Sequence, residues 1–365
     1  MKAAVCYEFG KPLVVEDVSL DPPQRQEVRV KLAACAICHS DIHSIEGAWG
    51  GWLPVVYGHE AAGIVVETGP DVTAVNEEDR VVVSLIRSCG RCYFCANGSP
   101  ILCEARFALD KEPRLHLLDG TAIRMGIKTG AFAEEVVVHQ SQLAILPQDF
   151  SLELASLLAC GVITGFGAVV NTAQVRPGDS VIIVGAGGVG LNSVQGARLS
   201  GADPIIAIDL LPNKLQAAAQ FGATHTINAA EVEDIVAEIR ALTGGRGADY
   251  VFVTVGSGAA MAQGLKMIRR GGTLVIVGMP PAGVKVALEA VDFAYDGQRV
   301  LGSNMGASRL SKDIPYLVSL YKGGRLKLDE LITGRYPLEQ INEAIDSVNR
   351  GKALRNIIVF NDKHT

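Results

Sequence analysis

The sequence predicts an α/β protein of two domains, one mostly β and one built on a doubly wound parallel sheet. Three observations predict it. At 365 residues the chain exceeds the length at which one core keeps growing. From Ser180 to Ser303, short β-branched runs alternate with helix-length stretches, the pattern of βαβ units with helices on both sheet faces. Before Ser180 the texture differs, with short β-rich segments broken by Gly, Pro and Asp.

In the first region, residues 1–161, the expected strands include Val28–Ala33, Ala62–Glu67, Arg80–Ile86 and Phe132–Val138. In the second, residues 162–304, strand candidates are Val181–Val184, Ile205–Asp209, His225–Ile227, Tyr250–Val255, Thr273–Val277 and Val300–Ser303. Helices are expected between them at Val189–Ser200, Pro212–Phe221, Val232–Leu242 and Ala259–Arg270. Pro212 suits a first helical turn, and Gly222 follows as a stop. Residues 305–365 return to a mixed pattern with a strand-like run, Asn356–Phe360. The chain is therefore expected to leave the first domain, build the second, and return to complete the first.

Composition excludes some functions. The net charge is −6, and Lys and Arg are scattered without a basic run, so neither a nucleic-acid stripe nor a polybasic membrane patch is expected. Apolar runs such as Ile64–Val66 and Val181–Val184 are short, well below a membrane span. The first twenty residues lack the apolar stretch of a signal peptide, so a soluble, cytoplasmic protein is expected. Eight cysteines in that setting point to metal ligands or reactive thiols before a disulfide framework.

Strand Ser180–Val184 runs into Gly185-Ala-Gly187-Gly188-Val189-Gly190 and then a helical stretch. With 40 glycines a lone G-x-G-x-x-G carries little, but here it has strand before and helix after. Glycines let the backbone approach a pyrophosphate at the helix N-terminus, where free N–H groups favour an anion. Asp209 ends the next strand, 19 residues after Gly190. A carboxylate there accepts ribose hydroxyls and repels a 2′-phosphate, and Leu210 and Leu211 offer a phosphate no cation, which favours NAD over NADP.

Cys89-x2-Cys92-x2-Cys95-x7-Cys103 places four thiols in fifteen residues. Four thiolates make a closed structural zinc site, or hold an iron–sulfur cluster. A second set is dispersed: Cys38 in Cys-His-Ser-Asp-Ile-His, His59 in Gly-His-Glu, and Cys160 in Ala-Cys-Gly. Two thiolates and one imidazole leave a fourth tetrahedral position for water or substrate. Taken singly, each is as readily a buried cysteine or a core histidine, and only the joint pattern lifts them.

These residues resemble the zinc-containing medium-chain alcohol dehydrogenases. Gly58-His59-Glu60-x2-Gly63-x5-Gly69 is similar to that family's zinc signature, with Cys38 lying 21 residues before His59. The similarity continues through the four-cysteine lobe, Cys160-Gly-x3-Gly165, the glycine loop, Leu328-Asp-Glu-Leu-Ile-Thr and Gly351-Lys-Ala-Leu-Arg355. The resemblance implies a GroES-like catalytic domain and a Rossmann NAD-binding domain. It implies catalytic zinc on Cys38, His59 and Cys160, and structural zinc on Cys89, Cys92, Cys95 and Cys103. Asp41 and Glu60 would stand behind the catalytic ligands and orient them. Ser40 would take the alcohol's proton and pass it through the nicotinamide ribose to His43. His39 and Arg355 resemble residues contacting the cofactor's pyrophosphate, and Lys214 joins the expected nucleotide contacts.

The reaction so implied is hydride transfer between an alcohol and NAD, giving an aldehyde or ketone, with a Lewis-acidic zinc lowering the alcohol's pKa. Trp49 and Trp52 are candidates to wall the alcohol pocket, or to pack their loop. A homo-oligomer, dimer or tetramer, is expected. Three other functions compete. Glutathione-dependent formaldehyde oxidation lies within the family. A zinc-free quinone reductase of the same fold is disfavoured by seven retained zinc ligands. A non-catalytic NAD-binding redox sensor would need neither Ser40 nor His43.

Overall fold

The computed structural model describes residues 1–360. The chain divides into two compact units, one formed by Met1–Gly161 together with the chain from Arg309 onward, the other by Val162–Ser308.

Among the described residues the first unit holds twelve strands in two sheets. In chain order they are β1 (Lys2–Cys6), β2 (Val14–Leu20), β3 (Glu27–Ala36), β4 (Val55–Val56), β5 (Glu60–Thr68), β6 (Arg80–Ser84), β7 (Leu115–Leu117), β8 (Ala122–Met125), β9 (Glu135–His139) and β10 (Leu143–Ile145). Strands β1, β2, β7, β8 and β4 close a small barrel. The second sheet runs β10-β6-β5-β3 and continues into the two strands formed after Ser308, with β9 also paired to β3. Strands β3 and β5 bring the metal-site residues to their ends: Cys38 follows β3 by two residues, and Glu60 opens β5. Their register pairs Ala36 with Glu60, so the loop ends carrying Cys38 and His59 are neighbours by sheet pairing alone. The buried Val28, Val30, Leu32, Val65, Val81 and Val83 line the core behind them.

The second unit is a six-stranded, all-parallel sheet of β11 (Val181–Val184), β12 (Ile205–Asp209), β13 (His225–Asn228), β14 (Ala248–Val253), β15 (Ile268–Ile276) and β16 (Arg299–Gly302). Their order is β13-β12-β11-β14-β15-β16, doubly wound from β11. Strands β11 and β12 and the helix Pro212–Phe221 have the bounds expected from sequence, because Pro212 and a left-handed Gly222 punctuate the helix chemically. Two expected helices are shorter. Val232–Leu242 begins at Ile235, because Asp234 caps it through the N–H groups of Val236 and Ala237. Ala259–Arg270 ends at Met267, because Ile268 already pairs with Ala248 in the sheet. The last strands of the first unit are β17 (Ile332–Tyr336) and β18 (Arg355–Val359), the latter antiparallel to β3.

One expectation needs correction. The helical run Leu152–Ala173 has the length and composition to cross a membrane, although the sequence shows only short apolar runs. Ser156, Cys160 and Thr164 interrupt it chemically without interrupting the helix. In the fold 89% of its most apolar 18-residue stretch is buried within the protein, as in a core helix.

Candidate metal centres and nucleotide loop

Cys38 precedes the short helix His39–Ile45, whose N-terminus is closed reciprocally: Asp41 accepts the Cys38 N–H at 3.2 Å. The other Asp41 oxygen accepts the Gly58 N–H at 2.9 Å and pairs with His59 Nδ1 at 2.8 Å. One wholly buried carboxylate therefore ties the Cys38 loop to the His59 loop. It also sets the tautomer: with Nδ1–H donated to Asp41, Nε2 is left as an acceptor. Cys160 arrives from a π turn, Leu158–Val162, in the long buried helix.

Candidate ligand atoms of Cys38, His59, Glu60 and Cys160 lie within 4.8 Å of one another, all buried. His59 Nε2 and Glu60 Oε1 are buried without a hydrogen-bond partner. Leaving such atoms unmet costs on the order of 1–3 kcal/mol each, so the set fits a cation that would take their lone pairs. A hydrogen bond joins the two thiols. The Cys160 hydrogen bond, opposed by burial and aided by His59, holds Cys38 well below the usual thiol pKa, and the same bond together with burial lifts Cys160. Burial works against charge on His59, but Asp41 and then Cys38 outweigh it and raise its pKa well above the ordinary value.

Glu60 and Arg355 stand differently from expectation. Glu60 is not only behind the ligands; its carboxylate is among them. Its other oxygen takes Arg355 Nη2 and, at 3.3 Å, the Gly161 N–H. Burial pushes the Glu60 pKa up to about 7 against the pull of Arg355. The Arg355 guanidinium is thus engaged within the site, a role the sequence did not signal because 295 residues separate the pair. A Cβ on Gly161 would collide with that guanidinium, so the Cys160-Gly pair has a steric reason.

Ser40 is half-buried and its side chain has no hydrogen-bond partner among the described residues, while its carbonyl accepts Ser44 Oγ. His43, one turn further, is half-buried, with Nδ1 3.7 Å from Glu46 and its ring 5.8 Å from Trp49 in edge contact. His39 is exposed. Of the two tryptophans, Trp52 is 77% exposed, whereas Trp49 is half-buried against His43.

The four-cysteine lobe is built from its own backbone. Cys89, Cys92, Cys95 and Cys103 bring their sulfurs within 4.8 Å of one another, and Cys92 and Cys103 sulfurs are 3.9 Å apart. A tetrahedron with metal–sulfur bonds of about 2.3 Å has edges of about 3.8 Å. The Cys89 N–H donates to Cys103 Sγ and the Cys92 N–H to Cys89 Sγ, each at 3.3 Å. Backbone N–H groups of Cys95 and Glu104 bring the Cys92 thiol down to about 6, while burial and the Cys92 sulfur push Cys95 up to about 12.

In the second unit, β11 leads to Gly185, which is left-handed at φ 95°. The helix Gly188–Leu199 follows, with Gly187 as its N-cap, and its Val189 is half-buried in the first turn. A Cβ at Gly190 would fall on the Gly185 carbonyl oxygen, but a Cβ at Gly187 would meet only open space. That gap over a helix N-terminus fits a bound phosphate. Asp209 is more occupied than its sequence position implied. It accepts the Ala186 N–H at 2.7 Å and the Leu210 and Leu211 N–H groups at 2.8 and 3.0 Å, so it braces the glycine loop from β12. Lys214 is buried in the first turn of the following helix.

Two family models match the chain: the alcohol dehydrogenase GroES-like domain over residues 24–148 and the zinc-binding dehydrogenase domain over 188–322. An S-(hydroxymethyl)glutathione dehydrogenase of Paracoccus denitrificans is 36% identical, covering 98% of this chain and 99% of its own. A solved alcohol dehydrogenase zinc-binding domain protein from Burkholderia ambifaria superposes with a TM-score of 0.94 at 36% identity over 99% of both chains. The benzyl alcohol dehydrogenase of Acinetobacter calcoaceticus superposes with a TM-score of 0.92 at 31% identity, again over 99% of both. With paired thiols and an imidazole gathered at one buried point and a glycine loop at the end of a central parallel strand, the chain belongs to the zinc-dependent medium-chain alcohol dehydrogenases, oxidoreductases that move hydride between alcohols and carbonyl compounds.

Proposed function

We propose that this chain is an NAD-dependent alcohol dehydrogenase carrying two zinc ions, one on Cys38, His59 and Cys160 and one on Cys89, Cys92, Cys95 and Cys103. The observation that carries the reading is His59 Nε2, buried without a hydrogen-bond partner beside the thiols of Cys38 and Cys160. Residues 1–161 with 305–365 form the catalytic domain in this reading, and residues 162–304 the NAD-binding domain. When bound, zinc supplies a Lewis acid and NAD a hydride acceptor.

The chain's own residues do the rest. Asp41 holds the Cys38 and His59 loops together and engages His59 through Nδ1, leaving Nε2 as the nitrogen that would meet the metal. Ser40 takes the alcohol's proton on its hydroxyl, which the described residues leave free to point at substrate. His43 hands the proton to water, with Trp49 against its ring. Glu60, tied to Arg355, offers an oxygen to the same cluster. Gly185, Gly187, Gly188, Val189 and Gly190 receive the pyrophosphate, joined by Lys214, and Asp209 turns its remaining lone pairs to the ribose, disfavouring NADP.

The substrate is an alcohol that enters an apolar pocket, with Trp49 a better candidate wall than the exposed Trp52. We read the protein as a cytoplasmic homo-oligomer. Strand β16 ends its sheet, and its exposed Val300, with the exposed Val291 and Tyr295 of the preceding helix Ala290–Tyr295, supports contact between copies.

The deciding experiment is an NAD-reduction screen over primary, secondary, aromatic and glutathione-adduct alcohols, with metal content measured alongside. Alcohol oxidation with about two zinc ions per chain and higher efficiency with NAD than NADP is the expected result. Iron in the lobe, a preference for NADP, or bound NAD with no alcohol turned over would each overturn the corresponding part.

A further inference from the structure

The first unit contains a cavity, of about 790 Å³, that the alcohol chemistry does not use. It lies beside the four-cysteine lobe, with Arg25, Arg91, Arg106, His139, Phe107 and Glu27 on its walls. Ligand sites typically measure about 300–1,000 Å³, so the volume suffices for a small molecule. Charge is what distinguishes it. In a chain of net charge −6, three guanidiniums share this wall with one carboxylate. That carboxylate, Glu27, is buried and already met bidentately by Arg114 at 2.8 and 2.9 Å. Arg25 has an exposed partner in Asp71 at 2.6 Å. Arg91 and Arg106 are exposed, and among the described residues neither has a carboxylate within ion-pair distance. Two arginines left unmatched at one concavity form a receptor of the fork geometry that phosphate oxygens fill. The remaining walls are rigid. Phe107 is fixed between Arg87, 5.3 Å from its centroid, and the His139 ring at 4.8 Å, and His139 is itself held by Ser141 at 2.8 Å.

We propose that this cavity is a binding site for a diphosphate-bearing small molecule, separate from the glycine loop and from the buried Cys38–His59–Cys160 centre and bordering the four-cysteine lobe at Cys89, with Arg91 and Arg106 as its principal anion ligands and Arg25 as a third. Free pyrophosphate and a nucleoside diphosphate share the recognised chemistry.

The test uses the zinc-loaded protein saturated with NAD, so that the glycine loop is filled before any second anion is added. Pyrophosphate and ADP are titrated by calorimetry at low and at physiological salt. Saturable binding is expected, weakening as salt rises, and falling at least about tenfold in Arg91→Gln/Arg106→Gln, in keeping with charge-assisted pairs. NAD affinity and zinc content should be unchanged in that variant, whose substitutions are exposed. Tighter binding of ADP than of pyrophosphate would assign the nucleotide as the ligand, and equal binding the diphosphate alone; both support the site. Lack of saturable binding, or equal binding in the variant, would overturn it. Loss of lobe zinc in the variant would also overturn it, assigning the arginines to balancing the thiolate charge. A failure of NAD itself to bind, seen in the preceding titration, would strike the proposed function and not this site.

Discussion

The two cysteine-rich sites solve one problem in opposite ways. The lobe gathers Cys89, Cys92, Cys95 and Cys103 within fifteen residues, half-exposed, and steadies its sulfurs with its own backbone N–H groups. The other site gathers Cys38, His59 and Cys160 from three distant segments into a fully buried point, and steadies them with side chains, Asp41 foremost. A self-contained loop needs only local folding to bring its donors together. A dispersed set needs the β3–β5 register and a helix entering from elsewhere, and the same burial that makes it costly keeps water out. The comparison teaches that the first site is a staple and the second an instrument.

Four experiments sharpen or break that contrast. The largest effect is expected on replacing a lobe ligand: Cys103→Ser should lose one zinc and much of the protein's folding stability, since structural zinc binding is folding energy. Cys160→Ser should lose the other zinc and activity while the lobe metal stays, which metal analysis and thermal melting of both variants will separate. If both variants melt alike, the distinction fails.

Ser40→Ala should come next, abolishing most turnover, by about 10²–10⁴-fold, with zinc and NAD retained. Steady-state rates under conditions where hydride transfer limits turnover check it. Near-normal rates would remove Ser40 from the chemistry.

Asp41→Asn preserves shape but places an amide donor against the Cys38 N–H. Affinity for the buried zinc should weaken by roughly 10–100-fold, with the lobe zinc untouched, as measured by competition with a chelator.

The smallest effect lies outside both sites and calibrates an ordinary charge network. Asp249 accepts from Ser180 N and Oγ at 2.9 and 2.6 Å and from Arg269 Nε at 2.6 Å. Burial would raise its pKa, but the Ser180 and Arg269 interactions together hold it below the ordinary 3.8. The unfolded chain therefore takes the proton first on acidification. The stability that Asp249→Asn removes should be fully present above pH 3.8 and vanish as pH falls through the folded-state value. The difference should be no more than about 1 kcal/mol, because the pair is partly solvated. Urea melts of both proteins from neutral to acid pH give the curve.

How much of this was legible from the sequence follows the same contrast. The glycine loop, the lobe and the helix Pro212–Phe221 are spelled in consecutive residues, and each forms where the spelling says. The barrel strands β1, β2, β7 and β8 are short and weakly patterned, since closure of the barrel, and not alternation along any one strand, decides which side is buried. The burial of Leu152–Ala173 was equally hidden, because Ser156 and Thr164 are polar in the sequence yet buried in the helix.

Residue identities and local spacing determined the donor chemistry: which atoms are able to hold a metal, where a phosphate is able to approach a helix, and which carboxylate faces a ribose. Only the tertiary structure decided who restrains those atoms. It brought Glu60 among the ligands, turned Arg355 to it across 295 residues, gave Asp209 the Ala186 N–H to hold, and set Trp49 and not Trp52 against His43. The physical reason is that donor type is covalent and travels with the residue, whereas burial, pairing and pKa depend on neighbours that folding supplies.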